Sequence, residues 1–353
     1  MNIYYGYNVN GYITMTSKSS HSTIRDVARQ AGVSVATVSR FINHTTVVSP
    51  EASSRLAQVM RELKYVPRSA ARNLATHRTN TLGLLLDAIH GDFFAPLLNG
   101  IEAASGEAGY DLLISTSGRP MLRAEFWLPL GPHNTDGLLI FTNTLDKKGL
   151  ANCFELGLPV VLIHQSAPDS MNIPCVTVEN KAASRKIVDH LIDVHGRRRI
   201  VFLRGPQDNE DSFWRESGYR ESLQTHGFPI DPALVLNGGF EREVAQVSIL
   251  ALHSAGVEFD AVYTGDDEAA VGVLNALRIS GRSVPEDVAV AGFDDQRLSS
   301  FLTPPLTTVR APTERVGYEA VNQLLKLIRT GQADPLTLLP TEMIIRRSCG
   351  CNG

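Results

Sequence analysis

The sequence predicts a small all-α helix-turn-helix headpiece joined to an α/β body of two doubly wound parallel-sheet lobes. Three observations predict it. Residues 23–63 carry short helical periods punctuated by Gly32, Ser34, Ser49 and Pro50. From Thr81 onward, short apolar strands alternate with amphipathic helices, which is the rhythm of parallel sheets covered on both faces. Charge divides at the same place: the first 80 residues hold ten Lys/Arg against three acids, a balance of +7, so −11 falls on residues 81–353 of a chain with net charge −4.

In the headpiece, Ile24, Val27, Ala28 and Ala31 recur at i, i+3, i+4 and i+7 and build one apolar helix face. Gly32 follows where a positive φ ends that helix. Ser34 is a natural N-cap for a second helix, Val35–Asn43, with Val38, Phe41 and Ile42 turned inward. A third helix is expected from Pro50 to Leu63, capped by Ser49 and placing Leu56, Met60 and Leu63 on the core. After Tyr65-Val66-Pro67, the segment Arg68–Ala75 is helix-prone but too short to be stable alone in water, so it reads as a hinge that orders only when supported.

In the body, strands are expected at Leu82–Leu86, Asp111–Ile114, Gly137–Phe141, Val160–His164, Ile200–Leu203, Ala261–Thr264 and Val288–Ala291. Helices are expected at Phe94–Gly109, Ala182–Val194, Phe213–His226 and Asp267–Ser280. The domain boundaries that follow are a disordered tail over 1–20, the headpiece over 21–66, a hinge over 67–79 and the body over 80–353. Lobe 1 takes about 80–178 and 309–334, and lobe 2 about 179–308 and 335–348.

Composition excludes several function classes. The chain is 43% hydrophobic and 20% charged, as an ordinary globular protein is. No stretch approaches the ~20 apolar residues needed to span a bilayer, so no membrane partner is expected. The first residues lack a basic region followed by an apolar one, so they are not a secretory signal; Met15 is read as an alternative start. The four cysteines are scattered, which suits a reducing cytoplasm. Cys349-Gly350-Cys351 admits a metal or redox reading, but an inert, frayed tail is preferred and no metal is expected. There is no GxGxxG after a strand, no P-loop, no GxSxG and no HExxH. Adjacent carboxylates at Asp266/Asp267 and Asp294/Asp295 diverge at a strand end, so neither catalytic residues nor cofactors are expected.

Residues 23–43, Thr-Ile-Arg-Asp-Val-Ala-Arg-Gln-Ala-Gly-Val-Ser-Val-Ala-Thr-Val-Ser-Arg-Phe-Ile-Asn, closely resemble the headpiece of LacI/GalR-family transcriptional regulators. The resemblance continues through Tyr65–Ala75 and recurs at Phe93–Ala95, Gly205-Pro206, Arg215-x-x-Gly218-Tyr219, Gly292–Asp295, Pro305–Thr308 and Leu339-Pro340 through Ser348. It implies a sequence-specific DNA-binding regulator, most naturally a repressor of carbohydrate-use genes, whose body is a periplasmic-binding-protein-like sensor for a small sugar-like effector.

The resemblance places base reading on Val35, Ala36 and Arg40, and positioning on phosphates at Thr23, Ser34, Thr37, Ser39 and Asn43. Arginine suits the O6/N7 edge of guanine, while the apolar pair would touch only a thymine methyl. It gives Ala71 and Leu74 to the minor groove, with Leu74 as an apolar wedge that kinks the duplex. Two hinges open one site, so a homodimer on a pseudo-palindromic operator is expected. No heptad helix follows Ser348, and no tetramer through such a tail is expected.

For the effector, the resemblance marks Phe93, Phe94, His164, Arg215, Phe240, Asp266 and Asp294. A sugar site needs planar polar groups for vicinal hydroxyls and an aromatic face for the C–H surface, roles open to Arg215, Asp294 and Phe240. The plainer readings are a surface ion pair of Arg215 with Glu210 or Glu216, a capping carboxylate for Asp294, and core packing for one of Phe93 and Phe94. Asp266-Asp267 and His164-Gln165 depart from the family pattern and suit a hydroxyl-rich or partly cationic effector. Two alternatives stand beside this reading: a purine- or nucleoside-responsive co-repressor system, and a stand-alone solute-binding protein.

Overall fold

The computed structural model describes residues 22–43, 46–65, 78–89, 91–116 and 129–352. The chain divides at Thr79/Asn80 into two compact units. The hinge residues Ala71 and Leu74 and the side chain of Asn43 lie outside the described residues.

The headpiece consists of α1 (Ile24–Ala31), α2 (Val35–Asn43) and α3 (Pro50–Glu62). Ser34 and Ser49 cap their helices as the sequence announces, and α1 has a cap of its own at Thr23. Thr23 and Asp26 form a reciprocal capping box on α1, with Asp26 Oδ2 accepting the Thr23 N–H at 2.9 Å. Gly32 ends α1 in the left-handed region at φ 65, and the Val33 N–H donates back to the Ala28 carbonyl at 3.0 Å. Ser34 Oγ accepts from the Thr37 N–H at 3.1 Å, and Ser49 Oγ from the Ala52 N–H at 3.3 Å. Val27, Ala28, Ala31, Val38, Leu56 and Val59 form a buried core around which Ile24, Phe41, Ile42 and Met60 pack.

The body holds two parallel sheets. The first uses β1 (Thr81–Leu86), β2 (Asp111–Thr116), β3 (Gly137–Phe141), β4 (Val160–Ile163), β5 (Cys175–Val178) and β11 (Leu336–Leu339), in the order β11-β5-β4-β3-β1-β2. The second uses β6 (Ile200–Arg204), β7 (Val235–Asn237), β8 (Ala261–Thr264) and β9 (Ala289–Ala291), in the order β7-β6-β8-β9. All pairs within both sheets are parallel, and the inner strands are buried apolar runs, as strands covered on both faces must be.

Helices α4 (Phe94–Glu107), α5 (Lys147–Glu155) and α10 (Thr313–Thr330) belong to the first lobe. Helices α6 (Lys181–Asp193), α7 (Glu210–Thr225), α8 (Arg242–Ser254) and α9 (Asp267–Ile279) belong to the second. Helices α4 and α10 approach closely because glycines face each other. A Cβ at Gly100 would stand 1.9 Å from the Glu314 carbonyl oxygen, and one at Gly317 would stand 2.3 Å from that of Leu97. Two antiparallel strands, β10 (Thr308–Arg310) and β12 (Glu342–Ile344), carry the chain back and forth between the lobes.

Three expectations need correction. Residues 336–339, assigned by the sequence to lobe 2, pair with β5 as the edge of the first sheet, Leu336 opposite Cys175. The chain therefore returns to lobe 2 only through β12. The C-terminal tail is not frayed: Ser348 and Cys349 are fully buried, and Ser348 Oγ donates to the Val290 carbonyl at 2.6 Å. That bond lies on the outer edge of β9 and ties the tail to the second sheet. Helix α7 also starts at Glu210 rather than Phe213, capped by Asn209.

Candidate functional site

Every candidate effector residue lies at a carboxyl end of a strand, in the loop that follows it, or in the first two turns of the next helix, where open α/β sheets present their ligands. From the first lobe come Phe93 and Phe94 at the start of α4 and His164 just after β4, with Phe141, which ends β3, beside them. From the second come Arg215 on α7, Phe240 after β7, Asp266 capping α9, and Asp294 after β9.

Phe93, Phe94, Phe141 and His164 form an aromatic wall. Phe93 stands at 5.5 Å from Phe94 and 5.9 Å from His164, and Phe141 at 5.3 Å from Phe94. Phe93 and Phe94 are both half-buried against the core, so each serves packing and surface together.

Arg215 is the hub. It is 3% exposed and turned away from Glu210 and Glu216, so the surface-pair reading does not hold. Glu216 instead pairs with Arg204 and Arg220. Arg215 Nε donates to Asn180 Oδ1 at 2.8 Å, and one terminal nitrogen donates to the Gly265 carbonyl. Its other terminal nitrogen lies 3.3 Å from Asp294 and 3.8 Å from Asp211. The guanidinium is stacked 3.7 Å over the Phe293 ring and stands 5.7 Å from that of Phe240.

Several of these residues adopt backbone that side chains avoid. His164 (φ 58), Phe240 (φ 60), Asp294 (φ 105) and Asp295 (φ 54) all lie in the positive region. For bulky residues such conformations cost of order 1–3 kcal/mol each and gather where function demands them. Buried polar atoms are also left unmatched: among the described residues, His164 Nε2 and Gln296 Oε1 have no hydrogen-bond partner, and Asp294 Oδ1 has only the ion pair with Arg215.

The electrostatics follow from burial. Burial pushes Asp294 up, against the pull of Arg215. Burial and the Asp294 charge push Asp266 well up and bring Asp267 to about 8. Asp211 moves down: burial opposes ionisation, but the charge and hydrogen bond of His164 together with Arg215 and Asn180 outweigh it. Asp266 spends one oxygen capping α9 through the Ala269 N–H at 3.0 Å. Asp267 is structural, accepting from Ser299 Oγ at 2.5 Å, Thr308 Oγ1 at 2.6 Å and the Gln296 N–H at 2.8 Å.

A cleft of about 300 Å³ adjoins this network, lined by Gln165, Ser166, Thr177, Asn180, Asp211 and Trp214 among others. A larger one, about 620 Å³, lies between α6 and the β11–β12 region and contains none of the candidate residues.

On the headpiece, Val35, Ala36 and Arg40 are exposed on α2 while Val38 is buried. Val35 and Ala36 therefore do not pack the headpiece core. Ser34 and Thr37 hydroxyls bond each other at 2.9 Å, and Thr23 Oγ1 donates to Asp26 at 2.7 Å, so these hydroxyls are held in cap geometry at helix starts. Ser39 is half-buried on α2 and takes part in an interaction of its own.

Comparison with known proteins decides the family. Residues 23–68 match the profile described as bacterial regulatory proteins, lacI family, and residues 188–349 match the periplasmic binding protein-like domain. The transcriptional regulator RegA of Clostridium saccharobutylicum is 32% identical over 330 residues, covering 93% of this chain and 99% of the relative. The chain belongs to the LacI family. Its fold is also that of a solved complex of the transcriptional regulator CelR with cellobiose, at TM-score 0.67, 30% identity and coverage of 93% of this chain and 99% of that one. A lac repressor dimer bound to operator and the anti-inducer ONPF shares the fold at TM-score 0.78, 24% identity and the same coverage.

This LacI-family site contains residues that sequence reasoning missed. Asp211, Asn180, Phe141 and Phe293 contact the candidate residues directly. Asp211 carried a usable signal, since it stands one helical turn before Arg215 and shares its face. Asn180 carried none, because its partner lies 35 residues away.

Proposed function

We propose that this LacI-family regulator represses genes of carbohydrate use, binding a pseudo-palindromic operator as a homodimer and releasing it when a sugar-like effector settles between the lobes. The observation that carries the effector half is the convergence of Arg215, Asp294 and the unpartnered His164 Nε2 at the carboxyl ends of both sheets. A guanidinium fork, a carboxylate and an imidazole nitrogen are suited to vicinal hydroxyls, and Phe240 supplies an aromatic face. The CelR–cellobiose complex supports a carbohydrate, and the lac repressor dimer on operator supports the DNA-bound dimer.

On the headpiece, Arg40 reads guanine and Val35 and Ala36 meet thymine methyls, with Thr23, Ser34, Thr37, Ser39 and Asn43 holding phosphates. Residues 67–79 form the hinge, with Ala71 and Leu74 entering the minor groove. The body runs over 80–353, with residues 336–339 in the first lobe. Cytoplasmic location follows from the DNA target, and no residue is given a catalytic role.

The test is thermal unfolding of the purified chain against neutral mono- and disaccharides, sugar phosphates and nucleobases. A ligand at a hundred times its Kd stabilises the fold by about 2.7 kcal/mol. A neutral sugar that raises the transition and releases operator, with both effects lost in Asp294→Asn, supports the reading. A nucleobase that strengthens operator binding replaces it with a purine co-repressor system. Silence across the panel sinks the carbohydrate assignment and leaves the headpiece untouched.

A further inference from the structure

The end of α6 and the end of the chain meet in a cluster that neither the effector site nor the headpiece uses. His190 lies in the last turn of α6, and His195 follows just past its C-cap Val194. Cys349 closes the final 3-10 turn (Arg347–Cys349), and Cys351 stands two residues on. One potential ligand atom from each of the four lies within 4.8 Å of the others.

Two of the spacings are those of a coordination sphere, and the rest lie close to it. Cys351 Sγ is 3.4 Å from His195 Nε2 and 3.6 Å from His190 Nε2. Sulfur and nitrogen donors on one tetrahedral zinc, at about 2.3 and 2.05 Å from the ion, stand about 3.6 Å apart. The two imidazoles meet edge to face, 5.0 Å between centroids and 79° between planes, and both present Nε2 to the same sulfur.

The surrounding backbone and side chains fix this geometry. Gly350, between the cysteines, has φ 115, and a Cβ there would stand 3.0 Å from His195 Nδ1. Only glycine allows the turn that brings both sulfurs to the imidazoles. Cys349 is fully buried and its sulfur accepts from Thr307 Oγ1 at 3.1 Å. His190 is buried, while His195 and Cys351 are half-buried, which leaves a path for an ion from solvent.

We propose that His190, His195, Cys349 and Cys351 form a structural site for one zinc-class divalent cation, tying the C-terminal turn to α6 of the second lobe. Two imidazoles and two thiolates select zinc or a similar borderline-soft ion over magnesium or calcium, and four protein ligands leave no open position for chemistry. The two thiol protons pass to solvent on binding. His190-x4-His195 has the usual spacing of a paired-histidine ligand, whereas Cys349-x-Cys351 is tighter than the common paired-cysteine spacing. The positive φ that glycine adopts freely between the cysteines compensates for that tightness.

The experiment is cobalt titration of the reduced full-length chain, followed by zinc competition and a melting curve with and without chelator. The expected result is one cobalt per chain with the thiolate charge-transfer and d–d bands of a tetrahedral site, displaced by one equivalent of zinc. Chelation lowers the melting temperature by several degrees. His195→Ala and Cys351→Ser change half-buried groups and keep the metal-free melting temperature, while each weakens metal binding more than about tenfold. Absence of the cobalt spectrum, or a spectrum that survives both variants, overturns the site.

Discussion

His164 Nδ1, just past the end of β4 in the first lobe, lies 2.8 Å from Asp211 Oδ2 in the first turn of α7 in the second. Beside it, Ser166 donates its N–H and its hydroxyl to the two oxygens of Glu210, both at 2.6 Å. Consecutive carboxylates at one helix start thus hold one loop of the opposite lobe, and they sit where the helix dipole favours negative charge. The pair acts as a clasp that stabilises the approach of the lobes.

The clasp predicts an effect of Glu210→Ala. An effector that binds the closed arrangement pays for closure when the clasp is weakened, so its affinity falls in proportion to the closed fraction. Calorimetric titration should show weaker effector binding, by up to about tenfold, with melting temperature little changed. Unchanged affinity would mean that closure does not depend on this contact.

Arg215 is held by two carboxylates, an amide and a carbonyl, all on buried residues. Arg215→Ala leaves Asp211 and Asp294 buried without their cation and should cost about 3–5 kcal/mol in urea unfolding. Arg215→Lys restores the charge without the planar fork. It should recover much of the stability but not effector binding, a separation that a purely structural arginine would not give.

The buried acids make stability depend on pH in a specified direction. Asp267, whose carboxyl is pushed from 3.8 to about 8, holds a proton in the folded chain that the unfolded chain releases. Its contribution is complete below 3.8 and is lost as pH rises toward about 8, with a slope of at most about 1.4 kcal/mol per pH unit. Asp266 and Asp294 shift in the same sense, and Asp211, shifted down, loses its contribution only on acidification. Urea unfolding at several pH values should show falling stability from pH 5 to 8.5, and Asp267→Asn should flatten that slope.

Arg40 is exposed on the face of α2 opposite Val38, so its side chain is free of core duty. Arg40→Ala should leave headpiece stability within about 0.5 kcal/mol. It should cut discrimination between the operator and its variant at one base pair by about 1–3 kcal/mol. Competition binding at fixed salt measures this; equal loss on all sequences would place Arg40 on phosphate instead.

Much of this architecture was legible because local signals and tertiary roles coincide. Gly32, Ser34 and Ser49 mark helix ends by their own chemistry, and Gly137–Phe141 is a buried strand from its apolar run alone. Strand β11 was misplaced because lobe membership is a matter of pairing partner. Leu336 and Leu338 are 55% and 48% exposed, and only the register opposite Cys175–Val178 assigns them. In the site, charged and aromatic side chains were found, but their supports were not. Asp211 reads as an ordinary acid in a first helical turn, and Asn180 as an ordinary residue ahead of a helix, until the other lobe is folded beside them. The histidine–cysteine cluster was hidden for the same reason, its halves lying at opposite ends of the second lobe's sequence.

The return of the chain through β11 and β12 sets the order in which the molecule is completed during synthesis. The headpiece has its whole core by Tyr65 and can fold while the rest is still being translated. The first lobe, begun at Thr81, lacks its edge strand until Leu339 is made, and the second lacks the Ser348 hydroxyl that bonds β9 until residue 348 is made. A ribosome that stops early therefore releases a chain able to fold its DNA-recognition helices and unable to finish either half of its sensor.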